Sequence, residues 1–96
     1  MYARVTHIRF PTGMRAEVVG VAQGLVPVLR EQQGYEGLNV LTDGGAGEGL
    51  IISYWETQAA AEASEASSSY IGQMSMMSSF LQERLTPKTY EASVHA

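Results

Sequence analysis

Two histidines, His7 and His95, are the side chains of this 96-residue chain that ordinarily titrate near neutrality. His7 sits inside an alternating run, MYARVTHIRF, and is the candidate general base. It has opposite parity to Thr6, so in a strand the two side chains lie on opposite faces. The single tryptophan, Trp55, ends the run LIISYW and could stack on a flat ligand. Ser53 shares its parity. Tyr70, Met74 and Met77 recur at helical spacing, and methionine adapts to irregular partners.

Other chemistries are excluded by residue type. There is no cysteine, which removes disulfide scaffolds, thiolate zinc sites, iron–sulfur clusters and cysteine nucleophiles. The run DGGAGEG (43–49) lacks the lysine and the following helix of a phosphate loop, so it reads as a turn. Serines are abundant, but no Gly-x-Ser-x-Gly elbow occurs. Carboxylates are scattered without ligand spacing. With the last strand beside the first, His7 is expected opposite about residue 91. That leaves His95 some four residues, or roughly 13 Å, away. No metal site and no cofactor are expected.

Charge narrows the partners. The net charge is −4, and no Lys or Arg occurs between Arg30 and Arg84 while eight carboxylates do. Nucleic-acid binding needs a basic stripe, so neither nucleic acid nor an acidic membrane surface is an expected partner. Charged residues make up only 17%, below the usual ~25%, which points to a surface covered by a partner. No apolar run approaches the ~18 residues that would span a membrane. The N-terminal run does not read as a signal peptide, so the expected location is cytoplasmic.

These residues are positioned by six elements in one domain, residues 1–96. Residues 2–10 read as a strand stopped by Pro11-Thr12-Gly13. Residues 14–33 carry an apolar stripe (Met14, Val18, Val21, Leu25, Val28, Leu29) and read as a helix bent near 23–27 by Pro27, with Gly34 as its cap. Residues 35–42 and 50–56 are strands joined by the Gly-rich turn. The second alternates Leu50, Ile52 and Tyr54 against Ile51, Ser53 and Trp55, apolar on both faces. Thr57 caps a helix expected to run from Gln58 to about Arg84, with Ala59, Ala63, Ala66, Tyr70, Met74, Met77 and Leu81 inward. Ser67-Ser68-Ser69 and Gly72 weaken its middle, so a kink or break is expected there. Pro87 ends it, and residues 88–95 form a last strand.

The order β-α-β-β-α-β folds as an α+β, ferredoxin-like, four-stranded antiparallel sheet with the helices on one face. The other face is left apolar. A second copy of the chain, packed sheet to sheet about a two-fold axis, is expected to cover it.

The runs FPTG, LVPVLREQQGYEGL, LIISYWET and TYEASVH, in this order and length, resemble the antibiotic biosynthesis monooxygenase (ABM) family of dimeric α+β barrels. The resemblance implies a cleft between sheet and helices for a flat, apolar aromatic or quinol-type molecule. It also implies oxidation by O₂ without a cofactor in some members and haem degradation in others. Trp55 matches the tryptophan lining that cleft, and Thr6 falls near the strand-one asparagine. Ile51, Ala61 and Ser75 stand where polyketide-oxygenating members carry asparagine, tyrosine and arginine. The second helix has no histidine to ligate haem iron, which disfavours haem degradation. The resulting expectation is a homodimer that binds a small apolar organic molecule between Trp55, Thr6 and Ser53 on the sheet and Tyr70, Met74 and Met77 on the helix. The alternative is a non-catalytic ligand-binding or structural dimer of the same fold.

Overall fold

A computed structural model describes residues 1–96. The first strand, β1, spans Tyr2–Arg9. Arg4, Thr6, Ile8 and then Phe10 are buried, while His7 and Arg9 are exposed, which is the period-two pattern of a half-covered strand. A 3-10 turn at Thr12–Met14 leads into helix α1 (Arg15–Gln23), followed by α2 (Leu25–Arg30).

The expected bend is a break at Gly24. Pro27 removes one N–H from the helical ladder. Gly24 N donates to Val21 O at 3.0 Å, and the Gln73 amide reaches across to the same carbonyl at 2.8 Å. Helix α2 ends at Arg30 with Glu31 as its cap, earlier than expected, so Gly34 is not the cap; its φ of +82° serves the turn that enters the next strand.

Strand β2 (Tyr35–Asp43) pairs with β3 (Glu48–Trp55) through a turn in which the Asp43 carboxylate accepts from Ala46 N at 3.1 Å. A bulge at Glu36 brings Tyr35 opposite Trp55.

The second helical layer differs from expectation. It is two helices, α3 (Gln58–Glu65) and α4 (Ser68–Ser78). Thr57 caps α3 by accepting from Ala60 N at 3.0 Å, and Ser67 caps α4 by accepting from Tyr70 N at 3.4 Å. A serine that caps a new helix competes with continuation of the old one. Because the helices are separate, each sets its own inward face: α3 buries Ala61 and Ser64, while Ala59, Ala63 and Ala66 are exposed. Helix α4 also stops well before Arg84. Ser78 and Ser79 hydroxyls donate back to the Met74 and Met76 carbonyls at its end, and the following segment is pinned by Gln82 N to Arg9 O at 2.8 Å.

Strand β4 is short, Lys88–Glu91. The expected register is also corrected: Glu91 lies opposite Tyr2, not opposite His7. Pro87 delays the strand's start, so Lys88 meets Val5 and the paired residues of β1 run out at Tyr2.

The sheet order is β2-β3-β1-β4, all antiparallel, which is the ferredoxin-like topology expected. All four helices cover one face. The other face presents Val5 and His7 of β1, Leu50, Ile52 and Tyr54 of β3, and Leu41, with Leu41 half exposed. No helix is long and apolar enough to cross a membrane.

Candidate functional site

Trp55 is the last residue of β3 and points under the helices, with 0% of its surface exposed. Its indole N–H donates to Ser53 Oγ at 2.8 Å, two residues back on the same face. Across the strand pair, Ser53 stands opposite Arg4 and Ile51 opposite Thr6. Tyr35 packs edge-on against the indole at 5.8 Å.

Arg4 is the residue that sequence reasoning missed. Its side chain is 2% exposed, and the guanidinium carbon lies 5.2 Å from the Trp55 ring centroid and 4.6 Å from that of Tyr70. Nη1 donates to Ala61 O at 2.7 Å and to Ser64 Oγ at 2.6 Å. The Ser64 hydroxyl in turn donates to Ala61 O at 2.7 Å. Ala61 is the fourth of the eight residues of α3, so Arg4 and Ser64 share a carbonyl inside the helix, and Arg4 ties the underside of α3 to β1. The carboxylate nearest to it, Glu65 Oε1, stands at 3.7 Å, and the Glu65 side chain is 39% exposed.

A signal for Arg4 was present in the alternation of β1, because it shares parity with Thr6. It runs against the general tendency of unpaired cations to stay in water. Ser64 carried no signal, because its inward position depends on the break at 66–67.

Thr6, Ser53, Trp55, Tyr70, Met74 and Met77 all lie on the covered face or in the core. Arg4, Thr6, Ser53 and Ser64 are the four buried polar side chains of the chain, all on this covered side of the sheet. The cluster is closed. None of the six residues lines the cavities of about 570, 670 and 190 Å³, and only Ser64 borders one, the groove of about 670 Å³ beside Gln32 and Gly34.

His7 is not brought to this cluster. It is exposed on the opposite face, as its parity required, and borders a separate cavity of about 570 Å³ with Arg9, Glu48 and Glu83. His95 lies in the exposed residues beyond β4.

Burial holds the Tyr70 phenol above its ordinary pKa; the Arg4 charge opposes this and Glu65 adds to it. A raised folded-state value means that the protonated phenol contributes stability below the ordinary pKa, about 10 for tyrosine. That contribution is lost as pH climbs through the raised value. Tyr2 is raised as well, by the Glu91 charge, so in an alkaline absorbance titration the late part of the tyrosinate signal is expected to shrink in Tyr70→Phe and to keep the share of Tyr2.

Solved structures of the same fold span nearly the whole chain. SnoaB from Streptomyces nogalater, described as a cofactor-independent oxygenase, superposes with a TM-score of 0.84 at 14% identity over 98% of this chain and 94% of its own. Rv0793 from Mycobacterium tuberculosis gives 0.81 at 12% identity over 99% and 97%. A conserved protein from Methanosarcina mazei Go1 gives 0.79 at 12% over 94% and 91%. At such identities these likenesses establish the fold. No curated protein matches the sequence. The sequence itself matches the family described as antibiotic biosynthesis monooxygenase over residues 1–71, from β1 through the Trp55 strand to the start of α4. The chain belongs to the antibiotic biosynthesis monooxygenase family.

Proposed function

We propose that this chain, in the cytoplasm, binds a flat, apolar aromatic or quinol-type molecule against Trp55 and oxidises it with O₂ without a cofactor. One observation carries the reading: the buried polar side chains gather on the face of the sheet that holds the one tryptophan. Such groups cost free energy to bury unless matched, and Arg4 and Ser53 find their partners within this cluster, which keeps polar groups beside the indole. Thr6 and Ser53 would orient the ligand, and Tyr70, Met74 and Met77 would form the opposing wall. Cofactor-free oxygenation needs an electron-rich, ionised substrate in a dry site, and the residues of this site are almost fully buried. His7, across the sheet, takes no part at this face. The likeness in fold to SnoaB, described as a cofactor-independent oxygenase, supports the reading.

Oxygen uptake with anthrone and naphthoquinol substrates, in the absence of flavin, haem and metal, tests it. Saturable uptake is expected, falling about tenfold or more in Trp55→Phe, which loses the indole but keeps an aromatic core residue. Uptake no faster than buffer would overturn the oxygenase reading.

The second reading, a non-catalytic ligand-binding or structural dimer, is favoured by the filling of the cleft. Tyr70 and Met74 are each only 8% exposed and Met77 is 0% exposed. Ligand access then requires α4 to move outward.

We also propose that a second copy covers the open sheet face. Leu50, Ile52, Val5 and Tyr54 form an apolar strip that no helix of this chain reaches. Light scattering is expected to give twice the 10.4 kDa chain mass, and Ile52→Arg is expected to return it to the monomer value. A monomeric parent protein would refute this.

A further inference from the structure

The geometry points to the free edge of β2 as a docking site for an extended peptide whose side chains alternate between apolar and basic. This edge lies apart from the Trp55 cluster, and the peptide it takes is independent of any ligand bound there.

Strand β2 is an outer strand of the sheet, paired with β3 alone. It is nine residues long, against four for β4 at the opposite edge. An edge strand turns alternate N–H and C=O groups outward, and proteins usually blunt such edges with lysine, proline, a bulge or a covering segment. β2 has neither lysine nor proline, and its bulge lies at Glu36, close to its start. The backbone of residues 36–42 receives no hydrogen bond from any turn or loop.

The two sides of this edge select the partner. A strand added to β2 sends successive side chains to opposite faces. On the helix side, an apolar slot of about 190 Å³ lies between Val19, Ala22 and Val26 above and Leu38 and Val40 of β2 below. An apolar cavity of roughly 150 Å³ accepts benzene, so the slot has room for one aliphatic side chain. On the open side, the cavity of about 570 Å³ starts at the edge, where Leu41 and Asp43 stand on β2 with Glu48 opposite Asp43 on β3. It holds the carboxylates of Asp43, Glu48 and Glu83 against one guanidinium, Arg9, which stands between the two glutamates at 3.4 and 3.5 Å. Asp43 has no ion pair and accepts only the Ala46 N–H within its turn. A basic side chain lying over Leu41 therefore meets unbalanced negative charge. The next side chain of the same peptide drops into the apolar slot. Arg15, which donates to Thr42 Oγ1 at 2.9 Å from the helix side, disfavours a second cation there. Two copies of β2 fit each other poorly, because each brings Glu36 and Asp43 and no cation to match them.

Fluorescence anisotropy with a fluorescein-tagged peptide of alternating lysine and valine, about nine residues long to match β2, tests this. The peptide is expected to bind about tenfold more tightly than one of the same composition with its lysines and valines in separate blocks. A version N-methylated at every residue cannot donate to the edge and is expected to lose about tenfold or more. Asp43→Asn keeps an oxygen for the Ala46 N–H and is expected to weaken the alternating peptide about threefold. Val19→Gln puts a polar group into the slot from a half-buried helix position and is expected to weaken it about fivefold. Amide hydrogen exchange is expected to slow at alternate residues of β2 when the peptide is added. Failure of the alternating peptide to bind would overturn the site. Equal binding of the alternating and blocked peptides would also overturn it, since attraction to an acidic chain is then sufficient. Alternate β2 amides that exchange slowly without peptide, and are unchanged by it, would assign the edge to another copy of this chain and overturn the peptide.

Discussion

Trp55→Ala is expected to lower the unfolding free energy by about 3–5 kcal/mol, the usual cost of removing a fully buried large aromatic. The indole is completely covered and is the largest of the fully buried side chains. Removing it leaves a void beside Tyr35, whose ring packs edge-on against it. It also takes the N–H from Ser53 Oγ and one of the two rings from the Arg4 charge. The last loss weighs most. Burying a cation costs several kcal/mol unless its surroundings compensate, and the carboxylate near Arg4 stands off at 3.7 Å. A domain of 96 residues has about 5–15 kcal/mol of total stability, so the variant should lose about a fifth or more of it. Urea denaturation followed by far-ultraviolet circular dichroism measures this directly. A midpoint within error of the parent protein would contradict the placement of Trp55 in the core. The same reasoning makes phenylalanine the proper substitution in any activity test, because an alanine variant would lose activity through its fold alone.

Gly47→Ala is expected to cost about 2–4 kcal/mol, from the left-handed backbone together with a clash that cannot relax. Gly47 has φ +67°, where an L side chain is strained. A Cβ there would collide with the Phe10 carbonyl oxygen, a backbone atom that no rotamer change can move aside. The collision falls where Phe10 N donates to Gly47 O at 2.8 Å, so it pries the β2–β3 turn from the end of β1. Gly20→Ala is the control. Gly20 lies in α1 with nothing near its Cβ position, and alanine there should add up to about 1 kcal/mol. Opposite signs for one chemical change, read from two thermal melts, test the backbone geometry. A neutral Gly47→Ala would mean that the turn is not as described.

Much of this architecture was legible in the sequence because its causes are local. Alternation along residues 2–10 and 50–55 placed Thr6, Ser53 and Trp55 on one face and His7 on the other. Thr57 stood where a helix had to begin, and Pro27 near where one had to break. Each of these depends on a residue and its neighbours within a few positions, and the β-α-β-β-α-β order then leaves few topologies.

The tertiary structure decided the rest. Ser67 could end one helix and begin another or merely weaken a single long one, and the packing of α3 and α4 against the sheet selected the first. That choice rotated the inward face of α3 to Ala61 and Ser64. The register of β4 was invisible because nothing in its own residues says where it meets β1, and the observed pairing lies five residues from the expected one. Arg4 is the sharpest case. Read alone, it belongs in water, since the desolvation of a cation exceeds anything its own segment offers. Acceptors on α3, 57 and 60 residues away, together with the rings of Trp55 and Tyr70, reverse that balance, and they converge on Arg4 only once the chain has folded.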